Sequence, residues 1–339
     1  MIEKLLLIMP IIVSFFVAWF LLPYWIRKMK EVGIVWEDMN KVAKKDISGS
    51  GGVIVVLAFV LGVLGFVAYR IFYLNTSNNF LLEIFSLLTV ILLLGWIGFI
   101  DDLMGWRKGG LSIRSRIILV FLASIPLVVI NVGKSIVSIP FIGPVEFGLL
   151  YPLILIPLGI VGAATTFNFL AGFNGLEAGQ GIILLLSMGL VAFFTGSSWL
   201  FIIALCMAAA LIGFLYFNFY PTKLFPGDSL TYPVGGLIAI IAILGNFEKI
   251  AVFFFIPFII ETCLKIRGGL IRSSFGKPME DGTLGLRYNK IYSLNHLTIY
   301  LMKKLEIKPT EKKAVLWIWM FQIIIIILGF IIFNRGIFG

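Results

Sequence analysis

The sequence predicts an all-α, polytopic integral membrane protein with about ten transmembrane helices, and three observations carry that expectation. Hydrophobic residues make up 60% of the 339 and charged residues only 13%, against roughly 25% charged in soluble domains. Apolar runs long enough to cross a bilayer, which takes about 20 residues, recur along the whole chain. Lys and Arg concentrate on alternate connections between those runs. With 35 glycines dispersed through Ile-, Leu- and Phe-rich segments and a mean hydropathy of +1.07, the composition excludes a soluble enzyme, a disordered chain and a collagen-like one. Residues 1–339 read as a single integral domain.

The ten runs are approximately 5–26, 50–69, 84–100, 117–133, 147–167, 178–195, 199–217, 230–247, 250–264 and 314–334. Lipid offers no partner to backbone polar groups, so each is read as a helix. The first has one early lysine, no small-residue cleavage site and Arg27-Lys28 directly after it, which favours a retained helix over a signal peptide. Runs six and seven are separated only by the turn Thr195-Gly196-Ser197-Ser198. The ninth carries a single charge, Glu261.

Orientation follows from the cations. Segments 27–51, 101–116, 168–180, 217–230 and 265–313 hold 22 of the 27 Lys and Arg, whereas the other side holds Lys4, Arg70, Lys134, Lys249 and Arg335. Positive loops stay in the cytoplasm, so both termini are expected outside and the five polar connections on the cytoplasmic face. The net charge of +10 is mostly this asymmetry and suits anionic lipid heads or substrates, not nucleic acid. Asn75-Thr76-Ser77 matches a glycosylation acceptor on the expected outer side, a weak signal. Two cysteines, Cys206 and Cys263, and one histidine, His296, support no disulfide framework, zinc site or haem. Any metal must be held by oxygen.

The residues able to do chemistry lie at the cytoplasmic helix ends. Asp101 and Asp102 close the third run; adjacent carboxylates there suit a cation or a proton acceptor, and equally a solvated helix end. Asn168 through Gln180 joins runs five and six with amides, Glu177 and three glycines but no cation. Its Asn oxygens are hard ligands suited to Mg²⁺, and Asn174, Glu177 and Gln180 can hydrogen-bond a polar ligand. Asn218 through Ser229 ends in Pro226-Gly227-Asp228-Ser229, a rigid turn that fixes Asp228 at a helix start, where it also serves as a cap. The 49-residue segment 265–313 supplies Arg267, Arg272, Lys277, Arg287 and Lys290, and guanidinium forks match phosphate oxygens. Within it, 291–305 reads as an interfacial amphipathic helix with His296 on the polar face. Arg107, Lys108, Arg114 and Arg116 follow the aspartate pair, and Asp38-Met39-Asn40-Lys41 lies in the first cytoplasmic loop. Carboxylates and amides for Mg²⁺, cations for phosphate and a site at the membrane surface describe phosphoryl transfer from a water-soluble donor to a lipid acceptor. A secondary transporter is the alternative from another class; it calls for charges at mid-membrane, broken helices and repeated halves.

These motifs resemble the polyprenyl-phosphate N-acetylhexosamine-1-phosphate transferases, which include bacterial phospho-N-acetylmuramoyl-pentapeptide transferase and eukaryotic dolichyl-phosphate GlcNAc-1-phosphate transferase. The likeness spans nearly the whole chain and rests on Asp38 to Lys41, Gly98 to Asp102, Asn168 to Gln180, Tyr220-Pro221-Thr222 and Phe225 to Asp228, in the family's order. Asn174-Gly175-Leu176-Glu177-Ala178-Gly179-Gln180 is similar to the dolichyl branch. The resemblance implies a ten-helix fold with a cytoplasmic active site. It implies transfer of GlcNAc-1-phosphate from UDP-GlcNAc to a polyprenyl or dolichyl phosphate, giving polyprenyl-pyrophosphoryl-GlcNAc and UMP; another UDP-N-acetylhexosamine or UDP-MurNAc-pentapeptide is the alternative donor. Asp101, Asp102 and Asp228 would be catalytic, Asn168 and Asp228 would bind Mg²⁺, with Mn²⁺ as a substitute, and Asn174 and Glu177 would face the nucleotide. Arg114 and Arg116 take the place of a family lysine. Arg272 stands where members carry a His-containing basic motif, and Lys41 completes the substrate-binding set. The plasma membrane of a prokaryote, rather than the endoplasmic reticulum, is the expected location, and a homodimer is compatible with the family.

Overall fold

The computed structural model describes residues 7–74, 80–139 and 143–338. The triplet Asn75-Thr76-Ser77 lies outside these residues. Among the described residues eight helices are long and apolar enough to cross a membrane. They are α1 (Met9–Val32), α2 (Gly52–Ala68, continued by a π turn to Tyr73), α3 (Leu81–Lys108), α6 (Ile156–Phe169, preceded by a π turn from Tyr151), α7 (Leu176–Phe194), α8 (Ser198–Asn218), α9 (Asp228–Gly245) and α13 (Glu311–Ile332).

The two other apolar runs fold as broken helices. Run 117–133 becomes α4 (Ile113–Ala123) and α5 (Ile125–Val129), and run 250–264 becomes α10 (Glu248–Phe254) and α11 (Ile256–Arg267). Pro126 and Pro257 sit in the first turns of α5 and α11. Proline lacks the N–H that would continue the ladder and its ring collides with the preceding turn, so each helix restarts there. The breaks carry no charge.

Among the described residues three two-stranded antiparallel ribbons interrupt the expected all-α pattern: β1 (Val35–Glu37) with β2 (Asp46–Ser48), β3 (Ile136–Ile139) with β4 (Gly143–Glu146), and β5 (Lys277–Pro278) with β6 (Leu284–Gly285). The first pairs Val35 with Ser48 and closes the Asp38–Lys41 segment into a loop. Helix α12 (Leu294–Lys304) lies against α11 and α13, and α14 (Asn334–Phe338) ends the described chain.

His296 corrects one expectation. It is not on the polar face of α12 but buried, with Nε2 on the carbonyl oxygen of Phe275 at 3.1 Å and the ring edge-on to Tyr288. Burial holds its pKa below the usual imidazole value. The amphipathic pattern located the helix, but its inward face is covered by the folded-back 268–290 segment, so the histidine is enclosed with it.

Helix α9 is the most enclosed span and receives α3, α6 and α7 along its length. At its first turn the approach is so close that side chains are excluded. A Cβ on Gly98 of α3 would collide with the backbone of Asp228 and Ser229, and one on Gly52 of α2 with Leu230 N. Residues 48–52 complete the seat, because Phe225 N donates to Ser48 O at 2.8 Å and Gly52 N to Pro226 O at 3.0 Å.

Candidate functional site

The motif segments converge on one cavity of about 740 Å³. It is lined by Asp38 and Asn40 from the first loop, Asp101 and Asp102 from α3, Arg116 from α4, Asn168 from α6, Asn174 and Glu177 around the start of α7, Asn218 at the end of α8, and Asp228 at the start of α9. Segments up to 190 residues apart in sequence thus share one space of the size that accommodates a polar small molecule, ~300–1,000 Å³.

The two adjacent aspartates have different surroundings. Successive helical residues point about 100° apart, so Asp102 turns toward α9 and Asp101 toward α4. Asp102 Oδ1 accepts from Asp228 N at 2.7 Å, and Oδ2 accepts from Ser229 Oγ at 2.8 Å and Ser229 N at 3.3 Å. It therefore caps α9 from outside that helix, occupying the free N–H groups and the positive end of the dipole. Gly227, at φ +71°, makes room, since a Cβ there would collide with that carboxylate. Asp101 is 2% exposed and held by Arg116: Nε lies 2.6 Å from Oδ2, and Nη2 donates to Oδ1 at 3.1 Å. Leu111 N at 2.7 Å and Tyr232 Oη at 3.3 Å complete its donors.

Asp228 opens α9 beside Asn168, whose Nδ2 donates to Asp228 Oδ1 at 2.6 Å and to Thr231 Oγ1 at 2.8 Å. Both amide hydrogens are thereby committed, which leaves the amide oxygen for the cavity. Asp101 and Asp228 line the same cavity. Two carboxylates sharing a cavity with an amide oxygen are hard donors whose repulsion a divalent cation would relieve. Among the described residues no group of three or more His, Cys, Asp or Glu forms a self-sufficient cage. The donor set fits Mg²⁺, which commonly takes one or two carboxylates and fills its shell with water and substrate phosphate; Asp228 and Asn168 would hold it.

The part of the lining around Asn174 is built by a network of residues distant in sequence. Glu311, at the start of α13 and 3% exposed, accepts from Asn174 N at 2.8 Å and Asn40 Nδ2 at 3.4 Å and pairs with Lys41 Nζ. Asn174 Nδ2 donates to Asp38 Oδ2 at 2.9 Å, and Asn40 donates to Gly172 O at 2.5 Å while accepting from Gly276 N at 3.1 Å. Glu177 accepts from Gly172 N at 3.1 Å. Four separate segments are tied together around Asn174 and Glu177. Lys41 reaches this network and lies over the Tyr220 ring at 4.4 Å, but it does not line the cavity.

Two further cationic candidates also stand away from the cavity. Arg114 is exposed on α4. Arg272 is exposed and stacked over Tyr288 and Tyr292, at 5.2 and 5.9 Å from their ring centroids. Among the described residues the cations on the lining are Arg116 and Lys265, the latter with Ser273, Ser274 and Phe275. Lys265 lies one turn after Glu261, at 4.0 Å. That i, i+4 pair on an otherwise apolar helix was the available signal, since it marks a face turned away from lipid. Glu261 itself accepts from Leu294 N at 2.6 Å and Ser293 Oγ at 3.1 Å, fastening α12.

Comparison with known proteins gives a consistent result. Residues 84–246 match the model of glycosyl transferase family 4. A Sulfolobus acidocaldarius protein, provisionally named a UDP-N-acetylglucosamine–dolichyl-phosphate N-acetylglucosaminephosphotransferase, is 34% identical over 325 residues, covering 95% of each chain. A Dictyostelium discoideum protein with the same name, given without that qualification, is 29% identical over 66% of this chain and 62% of its own. A phospho-N-acetylmuramoyl-pentapeptide-transferase of Halalkalibacterium halodurans is 32% identical over 77% of this chain and 82% of its own.

Proposed function

The chain belongs to glycosyl transferase family 4, and from that premise we propose that it transfers GlcNAc-1-phosphate from UDP-GlcNAc to a polyprenyl phosphate of the dolichyl type. The products are polyprenyl-pyrophosphoryl-GlcNAc and UMP. The observation that carries this reading is the single cavity whose lining brings together Asp101, Asn168 and Asp228 with Asn174 and Glu177. The names of the Sulfolobus and Dictyostelium relatives support the same donor and acceptor. We place the cavity on the cytoplasmic face of a prokaryotic plasma membrane, with ten crossings and both termini outside. That topology counts α4–α5 and α10–α11 as one broken span each and follows the positive-inside rule. The assembly is a monomer or a homodimer.

In the proposed reaction an oxygen of the polyprenyl phosphate attacks the β-phosphorus of UDP-GlcNAc. The bond from that phosphorus to the bridging oxygen breaks, and UMP departs with the electron pair. Mg²⁺ held by Asp228 and Asn168 would supply charge neutralisation at the pyrophosphate oxygens. Asp101, fixed by the Arg116 fork, faces the acceptor phosphate and orients it or takes its last proton. A second phosphate pKa near 6 leaves that phosphate mostly ionised near neutrality, so orientation is the larger task. Asp102 acts through Asp228, which its carboxylate holds in place, and Arg116 and Lys265 place positive charge along the lining. Asn174 and Glu177 hydrogen-bond the uridine end. Single displacement is favoured over an aspartyl-phosphate route because the Asp101 carboxylate is already engaged by several donors.

The test is transfer of label from the sugar of UDP-GlcNAc into a polyprenyl phosphate extract by purified protein, with Mg²⁺ or with EDTA. Labelled lipid and UMP release in Mg²⁺ alone are expected. Lipid product from UDP-MurNAc-pentapeptide or another UDP-N-acetylhexosamine, with none from UDP-GlcNAc, overturns the donor. No product with any donor and a competent acceptor overturns the activity.

A further inference from the structure

Helix α11 leaves the bundle with an apolar stripe on its outer side: Ile259 is 44% exposed, Ile266 62%, and Cys263 between them is also exposed. The spacing of four and three residues keeps these side chains on one face, which in a spanning segment is a lipid-facing stripe. The stripe does not stop at the charge that ends the helix. Beyond the exposed Arg267 the chain turns through Gly268 and Gly269, and Leu270 and Ile271 stand 39% and 88% exposed before Arg272. The turn is built, not frayed. Gly269 N donates to Ile266 O at 2.9 Å, Leu270 N to Lys265 O at 2.9 Å, and Lys265 Nζ to Arg272 O at 3.1 Å. Leu270 adopts φ +60°, a conformation in which glycine or asparagine is relaxed and a bulky side chain is strained. An apolar side chain kept there against that cost, next to an isoleucine with almost no cover, needs an apolar surrounding that the protein does not provide.

We propose that residues 266–272 form a lipid-inserting turn whose partner is the anionic phospholipid leaflet on the motif side of the membrane. Ile266, Leu270 and Ile271 enter the acyl boundary, and Arg267 and Arg272 meet the headgroup phosphates, with Arg272 braced over Tyr288 and Tyr292. Apolar residues flanked by cations are the pattern that binds such an interface. The turn is also coupled to the site. Lys265 immediately before it and Ser273, Ser274 and Phe275 immediately after it line the cavity, so insertion fixes one rim of that cavity at the bilayer surface. Resting on the reading of the substrate as a lipid phosphate, this rim is where the acceptor headgroup passes from the leaflet to Asp101.

The experiment uses a nitroxide label at Ile271→Cys in a Cys206→Ala, Cys263→Ser background of the full chain, in nanodiscs containing phosphatidylglycerol, with Ile259→Cys as the lipid-facing reference. Collision with oxygen, which concentrates in lipid, is expected to exceed collision with an aqueous nickel chelate at both positions. Greater nickel collision at 271 overturns the proposal, and so does protection from both reagents, which would mean a protein contact such as a second copy. This readout requires no turnover and stands even if the transferase reading fails. In the kinetic arm, Ile271→Asp is expected to raise the KM for bilayer-borne polyprenyl phosphate several-fold and leave the KM for UDP-GlcNAc unchanged; an unchanged acceptor KM removes the rim role.

Discussion

Replacing Glu311 tests whether the network around Asn174 organises the cavity or merely decorates it. Its carboxylate accepts from Asn174 N at 2.8 Å and Asn40 Nδ2 at 3.4 Å and pairs with Lys41. Glu311→Ala removes all three at once. The Asn174 N–H then has no acceptor in a buried position, which costs about 1–3 kcal/mol. Losing one partner of a buried ion pair costs about 3–5 kcal/mol, but Lys41 is 27% exposed and keeps Asp38 at 3.7 Å. That discount brings the sum to the lower end, about 3 kcal/mol. Glu311→Gln keeps one oxygen for Asn174 and loses the charge, for about 1 kcal/mol. Much of this loss falls on the loop that presents Asn174 and Glu177. Since about 1.4 kcal/mol is a tenfold change in binding, the donor KM should rise at least about tenfold in Glu311→Ala and less in Glu311→Gln, with the KM for polyprenyl phosphate unchanged. Paired thermal melts and two-substrate kinetics on purified protein measure this. Equal effects on both substrates would mean general loosening, and no effect on either would refute the network's role.

Other outcomes follow from the same geometry. Asp228→Ala and Asn168→Ala should abolish Mg²⁺-dependent transfer while the proteins insert and purify normally; turnover at the normal rate in both would remove them from the metal site. Arg116→Lys should lower kcat by an order of magnitude or more, because a point charge cannot replace the fork on Asp101, and this is read by initial rates at saturating substrates. Gly98→Ala should unseat the first turn of α9, since the added methyl collides with the Asp228 backbone, and it should lose activity together with thermal stability. The buried His296 has a folded pKa below its unfolded value near 6.5. The folded protein therefore resists protonation, so its contribution is complete above pH 6.5 and is lost as pH falls from there toward the depressed folded value. Melting temperature measured from pH 7 to 5 should fall less steeply in His296→Asn than in the parent.

The membrane class, the approximate positions of eight spans, and the four polar motif segments that line the cavity were legible in the sequence because they depend on local properties. Hydropathy over about 20 residues dictates a span whatever its neighbours do, and a carboxylate at a helix end next to apolar residues is conspicuous wherever it packs. The tertiary structure decided how each of those residues is used. Asp101 and Asp102 are indistinguishable as neighbours in sequence, yet one is held by Arg116 in the cavity and the other caps α9, because the 100° step between them turns them toward different helices. Arg116 and Arg114, two residues apart on α4, separate for the same reason into a lining cation and an exposed one. Glu311 and Lys265 carried little signal, since an acidic residue at a helix start and a lysine at a membrane boundary are ordinary. Their significance comes from partners 137 and 270 residues away in one case and a folded-back loop in the other. Composition and period report what a segment can do on its own; pairing across such distances depends on which helices pack side by side, which is a property of the assembled bundle.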